Sequence, residues 1–93
     1  ERLNVMYMNA LETLASLYLA HAELDKSMRT CQLAIVYDPA FEPAYQITMR
    51  IYHRQGDNAG IKRTYQACCD ALKQRYDISP SPETEEIYNS LTK

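Results

Sequence analysis

Few residues in this chain have the chemistry to act on a substrate: Cys31, Cys68 and Cys69, His21 and His53, and a short basic stripe of Arg50, His53 and Arg54. A thiolate cluster is the first possibility, if the segments carrying Cys31 and Cys68–Cys69 pack side by side. Zinc usually takes four ligands, often with two cysteines in a Cys-x-x-Cys spacing. Here only His53 is left as a fourth ligand. Cys31 and Cys68 fall on apolar stripes, where a free thiol packs as a small hydrophobe, and Cys69 sits at the edge of its stripe. An odd cysteine count makes no disulfide framework, and bridging vicinal cysteines strains the peptide bond between them. We read all three as reduced thiols of a cytoplasmic protein. His21 and His53 lie 32 residues apart and read as solvated helix residues near turns. The chain has no Gly-rich phosphate loop, nucleophile elbow or paired metal spacing. We therefore expect no enzyme, no cofactor and no metal.

The eight tyrosines raise a second chemistry, base stacking, but a platform for single-stranded nucleic acid also needs a positive groove. The formal net charge is -2, whereas neutralising phosphates calls for a basic excess. Tyr18, Tyr45, Tyr52 and Tyr65 fall at core positions, which leaves Tyr7 and Tyr37 for an interface. The longest uncharged run, Thr13 to Ala22, is ten residues, against the ~20 of a membrane helix, so no membrane partner is expected. No secretion signal is visible. The chain opens on Glu1 rather than Met, which we read as a piece of a longer protein. With 93 residues, 46% of them hydrophobic and 24% charged, it has the makings of one domain, residues 1–93, with a modest core.

The elements that must position these residues are helical. Met8, Leu11, Leu14, Ala15 and Tyr18 share one face at spacings of three and four. Leu24, Met28, Cys31, Ala34 and Ile35 repeat the pattern, as do Ala44, Tyr45, Met49 and Tyr52. Ile61, Tyr65, Cys68, Cys69, Leu72 and Tyr76 make a fourth stripe, and Ile87, Tyr88 and Leu91 a short fifth. Asp38-Pro39 ends the second segment, because a residue before proline avoids the α region. Gly56 supplies a left-handed close to the third, and Asp57 or Asn58 caps the fourth. Ser81 caps the last, with Pro82 in its first position. The expected helices are 3–21, 24–37, 41–55, 58–76 and 82–92.

The first two pairs are copies of one another. A shift of 34 residues puts Leu11 on Tyr45, Leu14 on Thr48, Ala15 on Met49, Tyr18 on Tyr52, Ala22 on Gly56, Ser27 on Ile61, Cys31 on Tyr65 and Ala34 on Cys68. That period is the one of tetratricopeptide helical hairpins. The expected fold is all-α: two such hairpins with a C-terminal capping helix. The small residues Ala15, Ser27 and Ala34 allow close helix approach. In tetratricopeptide folds the first helix of each pair lines a concave face. Its residues here are Asn9, Glu12, Ser16 and Leu19 in the first unit, and Gln46, Arg50, His53 and Arg54 in the second. Two readings stand: a groove that holds an acidic peptide or a neighbouring domain through charge-assisted hydrogen bonds, and a plain solvated face.

The stretch from Glu42-Pro43-Ala44-Tyr45 to Met49-Arg50-Ile51-Tyr52, then Gln55-Gly56-Asp57, Tyr65 and Leu72, leads into Ile78-Ser79-Pro80-Ser81-Pro82-Glu83-Thr84, Ile87-Tyr88 and Leu91. Across nearly the whole chain this resembles the bacterial transcriptional activation domain, a tetratricopeptide-like module that follows a winged-helix domain in antibiotic-regulatory-type activators. That family closes on Leu-Gly-Val-x-Pro-Ser-x-Glu-Thr and then Leu-Tyr; here Tyr76-Asp77 replaces its Leu-Gly. The resemblance implies a non-catalytic regulatory module of a transcription activator. Its partners would be RNA polymerase and its sigma factor, a neighbouring domain, or a second copy, with DNA read by a domain outside this chain. The other reading of the 34-residue frame is a general peptide-binding scaffold in a signalling protein.

Overall fold

Local backbone signals set several of the helix ends. The computed structural model describes residues 2–93 apart from the side chain of Leu3; Glu1, the first residue of the expected domain, lies outside them. The helices are α1 (Arg2–Ala20), α2 (Leu24–Tyr37), α3 (Glu42–Arg54), α4 (Asn58–Tyr76) and α5 (Pro82–Leu91), with no strand among the described residues. Asp38 is extended ahead of Pro39 and closes α2. Asp57 is the cap of α4, its Oδ1 accepting the Gly60 N–H at 2.9 Å. Ser81 precedes α5, with Pro82 first in the helix.

The two interhelix turns of the hairpins repeat the same backbone device. Ala22 has φ 60° and Gly56 φ 71°, and these two residues are 34 apart. A left-handed residue is cheap for glycine and strained for alanine. Asp77, at φ 56°, ends α4 in the same way. It stands where the closing signature quoted above has glycine, and Asp is one of the few other residues that enters this region readily.

Packing follows from small residues at the crossings. Ala15, Ser27, Cys31 and Ala34 are buried between α1 and α2, and the Ser27 hydroxyl donates to the Ala15 carbonyl at 2.8 Å. Gly60 brings α4 against Tyr52 so closely that a Cβ there would lie 2.7 Å from the ring. The main core joins Met8, Leu11, Ala15 and Leu19 of α1 to Cys31 and Ala34 of α2 and to Ala44, Ile47 and Ile51 of α3. A second cluster joins Tyr45 to Cys68 and Leu72.

Three expectations about faces need correction. Leu14 is 40% exposed and Tyr76 60% exposed, because no helix covers the side of α1 or the end of α4 that carries them. The third helix buries more than its single stripe: Ile47, Met49 and Ile51 are also enclosed. It packs against α1 and α2 on one side and α4 and α5 on the other, so more than one of its faces is interior.

Candidate functional site

The thiols come first. Cys31 and Cys68 are buried and Cys69 half-buried, and all three are free. Burial pushes the Cys31 thiol up to about 11 and the Cys68 thiol up to about 12, with Glu42 adding to the latter. A nucleophilic cysteine needs the opposite shift, so Cys31 and Cys68 are packing groups. His21 and His53 are both exposed. Among the described residues no three His, Cys, Asp or Glu side chains gather as a metal site. No helix among them is long and apolar enough to cross a membrane.

Of the eight residues expected along a concave face, three are engaged within the fold: Leu19, Gln46 and Arg54. Leu19 does not point into a groove: it is buried in the main core, because the inward stripe of α1 continues through Met8, Leu11 and Ala15 to this position. The Arg54 guanidinium donates to the Leu19 carbonyl at 3.3 Å, which ties the ends of α1 and α3 together. Gln46 is half-buried and its amide donates to the Thr84 hydroxyl at 2.8 Å. Arg50 is exposed beside Glu86, Ile87, Ser90 and Leu91 of α5. His53 is exposed, as are Asn9 and Ser16 on α1, with Glu12 half-buried. Helix α5 therefore lies against the second half of the expected groove and engages part of it.

That docking is largely polar. The Thr84 side chain is fully buried. Its hydroxyl donates to Glu42 Oε1 at 2.6 Å, and the Ser81 N–H donates to the same oxygen at 3.0 Å. On the far side the Tyr65 hydroxyl donates to Glu85 Oε2 at 2.5 Å. The Tyr65 ring stacks on Tyr88, with centroids 3.9 Å apart. The hydrogen bond to Glu85, followed by burial, holds the Tyr65 phenol well above its ordinary range. Sequence reading places Glu42 and Thr84 in one motif and Glu85 in the first turn of the last helix, but assigns none of them these partners. Those contacts span 42 and 20 residues, beyond the reach of any local periodicity.

A further surface was also missed. Met6, Ala10, Thr13, Leu14 and Leu17 run along the outer side of α1 and line a shallow depression. All five are exposed. The 34-residue shift carries Ala10, Thr13, Leu14 and Leu17 onto Ala44, Ile47, Thr48 and Ile51. In α3 those four positions are buried, and Ala44, Ile47 and Ile51 belong to the core shared with α1 and α2. The bare stripe is therefore the repeat counterpart of one that packs on a preceding hairpin.

Comparison with known proteins completes the picture. A family model described as a bacterial transcriptional activator domain matches residues 1–92. No curated protein and no solved structure matches the chain.

Proposed function

Because the chain belongs to the bacterial transcriptional activator domain family, we propose that it is the non-catalytic, protein-contacting module of a bacterial transcription activator, in which a separate winged-helix domain reads DNA. It works in the cytoplasm, through contacts to that neighbouring domain, to a second copy, or to RNA polymerase and its sigma factor. The family membership carries the reading. The acidic balance, net charge -2, supports a protein-facing surface over a DNA-facing one.

Within this reading the outer stripe of α1 takes the neighbouring domain of the same polypeptide. Its support is the repeat equivalence already described, since α3 buries the same repeat positions against the hairpin before it. A general peptide-binding scaffold draws its support from the exposed Arg50 and His53. It is the weaker reading, because Gln46 and Arg54 are engaged within the fold.

The test compares operator binding by the 93-residue chain with transcription driven by the whole regulator carrying Leu14→Glu and Leu17→Glu. The chain alone should show no sequence-specific DNA affinity. The double variant should keep operator binding and lose activation. Tight operator binding by the chain alone overturns the reading, and full activation by the double variant removes the α1 contact.

A further inference from the structure

We propose that the cavity between α1, the α2–α3 turn and the end of α4 is a binding site for a guanidinium group, presented as an arginine side chain of a protein partner. The site is independent of the transcriptional reading. The cavity measures about 410 Å³, and its walls include three aromatic rings, Tyr37, Phe41 and Tyr76, one carboxylate, Asp38, and two amides, Asn4 and Asn9. That volume lies in the range of small-ligand pockets and is ample for an arginine side chain.

Four features favour a cation. Among the described residues no Lys, Arg or His lines the cavity. Asp38 takes part in none of the ion pairs among the described residues. Its Oδ1 accepts the Ala40 N–H at 3.1 Å, which fixes the carboxylate in the turn and leaves Oδ2 for a ligand. Asp38 also closes α2, a helix with no basic residue in its last turn. The negative end of the helix dipole therefore adds to the carboxylate, with no cation of the helix's own to offset it.

The aromatic walls add the second half of the recognition. A guanidinium stacks on ring faces and is drawn to their negative quadrupole. The Tyr37 ring is held edge-on by Tyr7, with centroids 4.8 Å apart. Among the described residues the cation–ring contacts use Tyr18 and Tyr52, not Tyr37, Phe41 or Tyr76. Lys73, in the last turn of α4, is bound to Asp77 at 2.7 Å. Asn4 and Asn9 supply amide oxygens that suit the additional N–H donors of a guanidinium.

The experiment is an NMR titration of the 93-residue chain with the blocked tripeptide acetyl-Gly-Arg-Gly-amide. Its citrulline counterpart, equal in shape and uncharged, runs in parallel, as does agmatine. The arginine peptide should shift the Tyr37, Phe41 and Tyr76 ring resonances saturably, and the citrulline peptide should bind at least about tenfold more weakly. Asp38→Asn keeps the oxygen that accepts from Ala40 and should reduce affinity by about tenfold or more. Tyr76→Leu, at an exposed position, should weaken binding without unfolding the chain. Equal shifts from the citrulline peptide, undiminished binding by Asp38→Asn, or no saturable shift overturns the assignment. Agmatine binding tenfold tighter than the peptide overturns the protein partner in favour of a small cation.

Discussion

The Thr84 hydroxyl donates to Glu42 Oε1 at 2.6 Å and accepts from the Gln46 amide at 2.8 Å, and this pair of contacts fastens α5 to α3. Thr84 is the one fully enclosed residue of its helix. Replacing it by valine keeps the shape and removes both bonds. Glu42 Oε1 keeps the Ser81 N–H, while the half-buried Gln46 amide loses its acceptor, and an unpaired polar group of this kind costs about 1–3 kcal/mol. Thr84→Val should lower the urea midpoint accordingly and speed amide exchange in α5 ahead of the other helices. An unchanged midpoint with unchanged exchange would show that the latch carries no stability.

The buried thiols predict a loss of stability at alkaline pH. Burial raises Cys31 from 9.0 to about 11, and Cys68 from 9.0 to about 12. The folded chain thus keeps thiol protons that the unfolded chain releases. This contribution is complete below about 9.0 and is lost as pH rises through about 11 and then 12. Denaturation midpoints measured from pH 8 upward should fall in that window. Cys31→Ala with Cys68→Ala should flatten the fall. At pH 8 iodoacetamide should alkylate Cys69 well before the other two, as read by peptide mass spectrometry.

The left-handed pair Ala22 and Gly56 predicts two substitutions of opposite sign. An L-residue in this region costs about 1–2 kcal/mol, and glycine's added chain entropy returns about 0.5–1 kcal/mol of that. Ala22→Gly should therefore stabilise the chain by about 0.5–1 kcal/mol. Gly56→Ala should destabilise it by a similar amount through the backbone alone, since nothing lies within 4 Å of a Cβ built there. Thermal denaturation of both variants checks the signs.

Gly60 predicts a larger effect from a different cause. Its φ is not the constraint; the space is. A Cβ at this position meets the Tyr52 ring at 2.7 Å and the Asp57 carboxylate at 2.8 Å. Overpacking of this kind costs about 1–3 kcal/mol. Gly60→Ala should destabilise by that amount, and the same substitution made in a Tyr52→Ala background should cost less. Equal stabilities for the single variant and the parent would mean that the α3–α4 contact gives way freely.

Much of the architecture was legible because helix boundaries are written in neighbouring residues. The ranges 24–37 and 58–76 match α2 and α4, and the other three helices differ from expectation by a residue at one or both ends. Asp38-Pro39, Gly56, Asp57 and Ser81 act within a few residues of themselves, so their effect is independent of the rest of the fold. The 34-residue repeat was legible for the same reason, since it compares the chain with itself.

What the tertiary structure decided was which stripe meets which neighbour. Periodicity puts Leu14 on the apolar stripe of α1 and Leu19 on the concave face, yet Leu19 is enclosed and Leu14 is bare. Only the placement of α2 and α3 around α1 separates them. Gln46 and Arg54 looked free for a partner until α5 and the end of α1 claimed them. The Thr84 latch and the Asp38 cavity likewise gather residues far apart along the chain. The sequence by itself determined five helices and their punctuation, because capping, proline and glycine act locally. Burial, hydrogen-bond partners and cavities were decided only by the packed fold, because each needs atoms that the chain brings together from a distance.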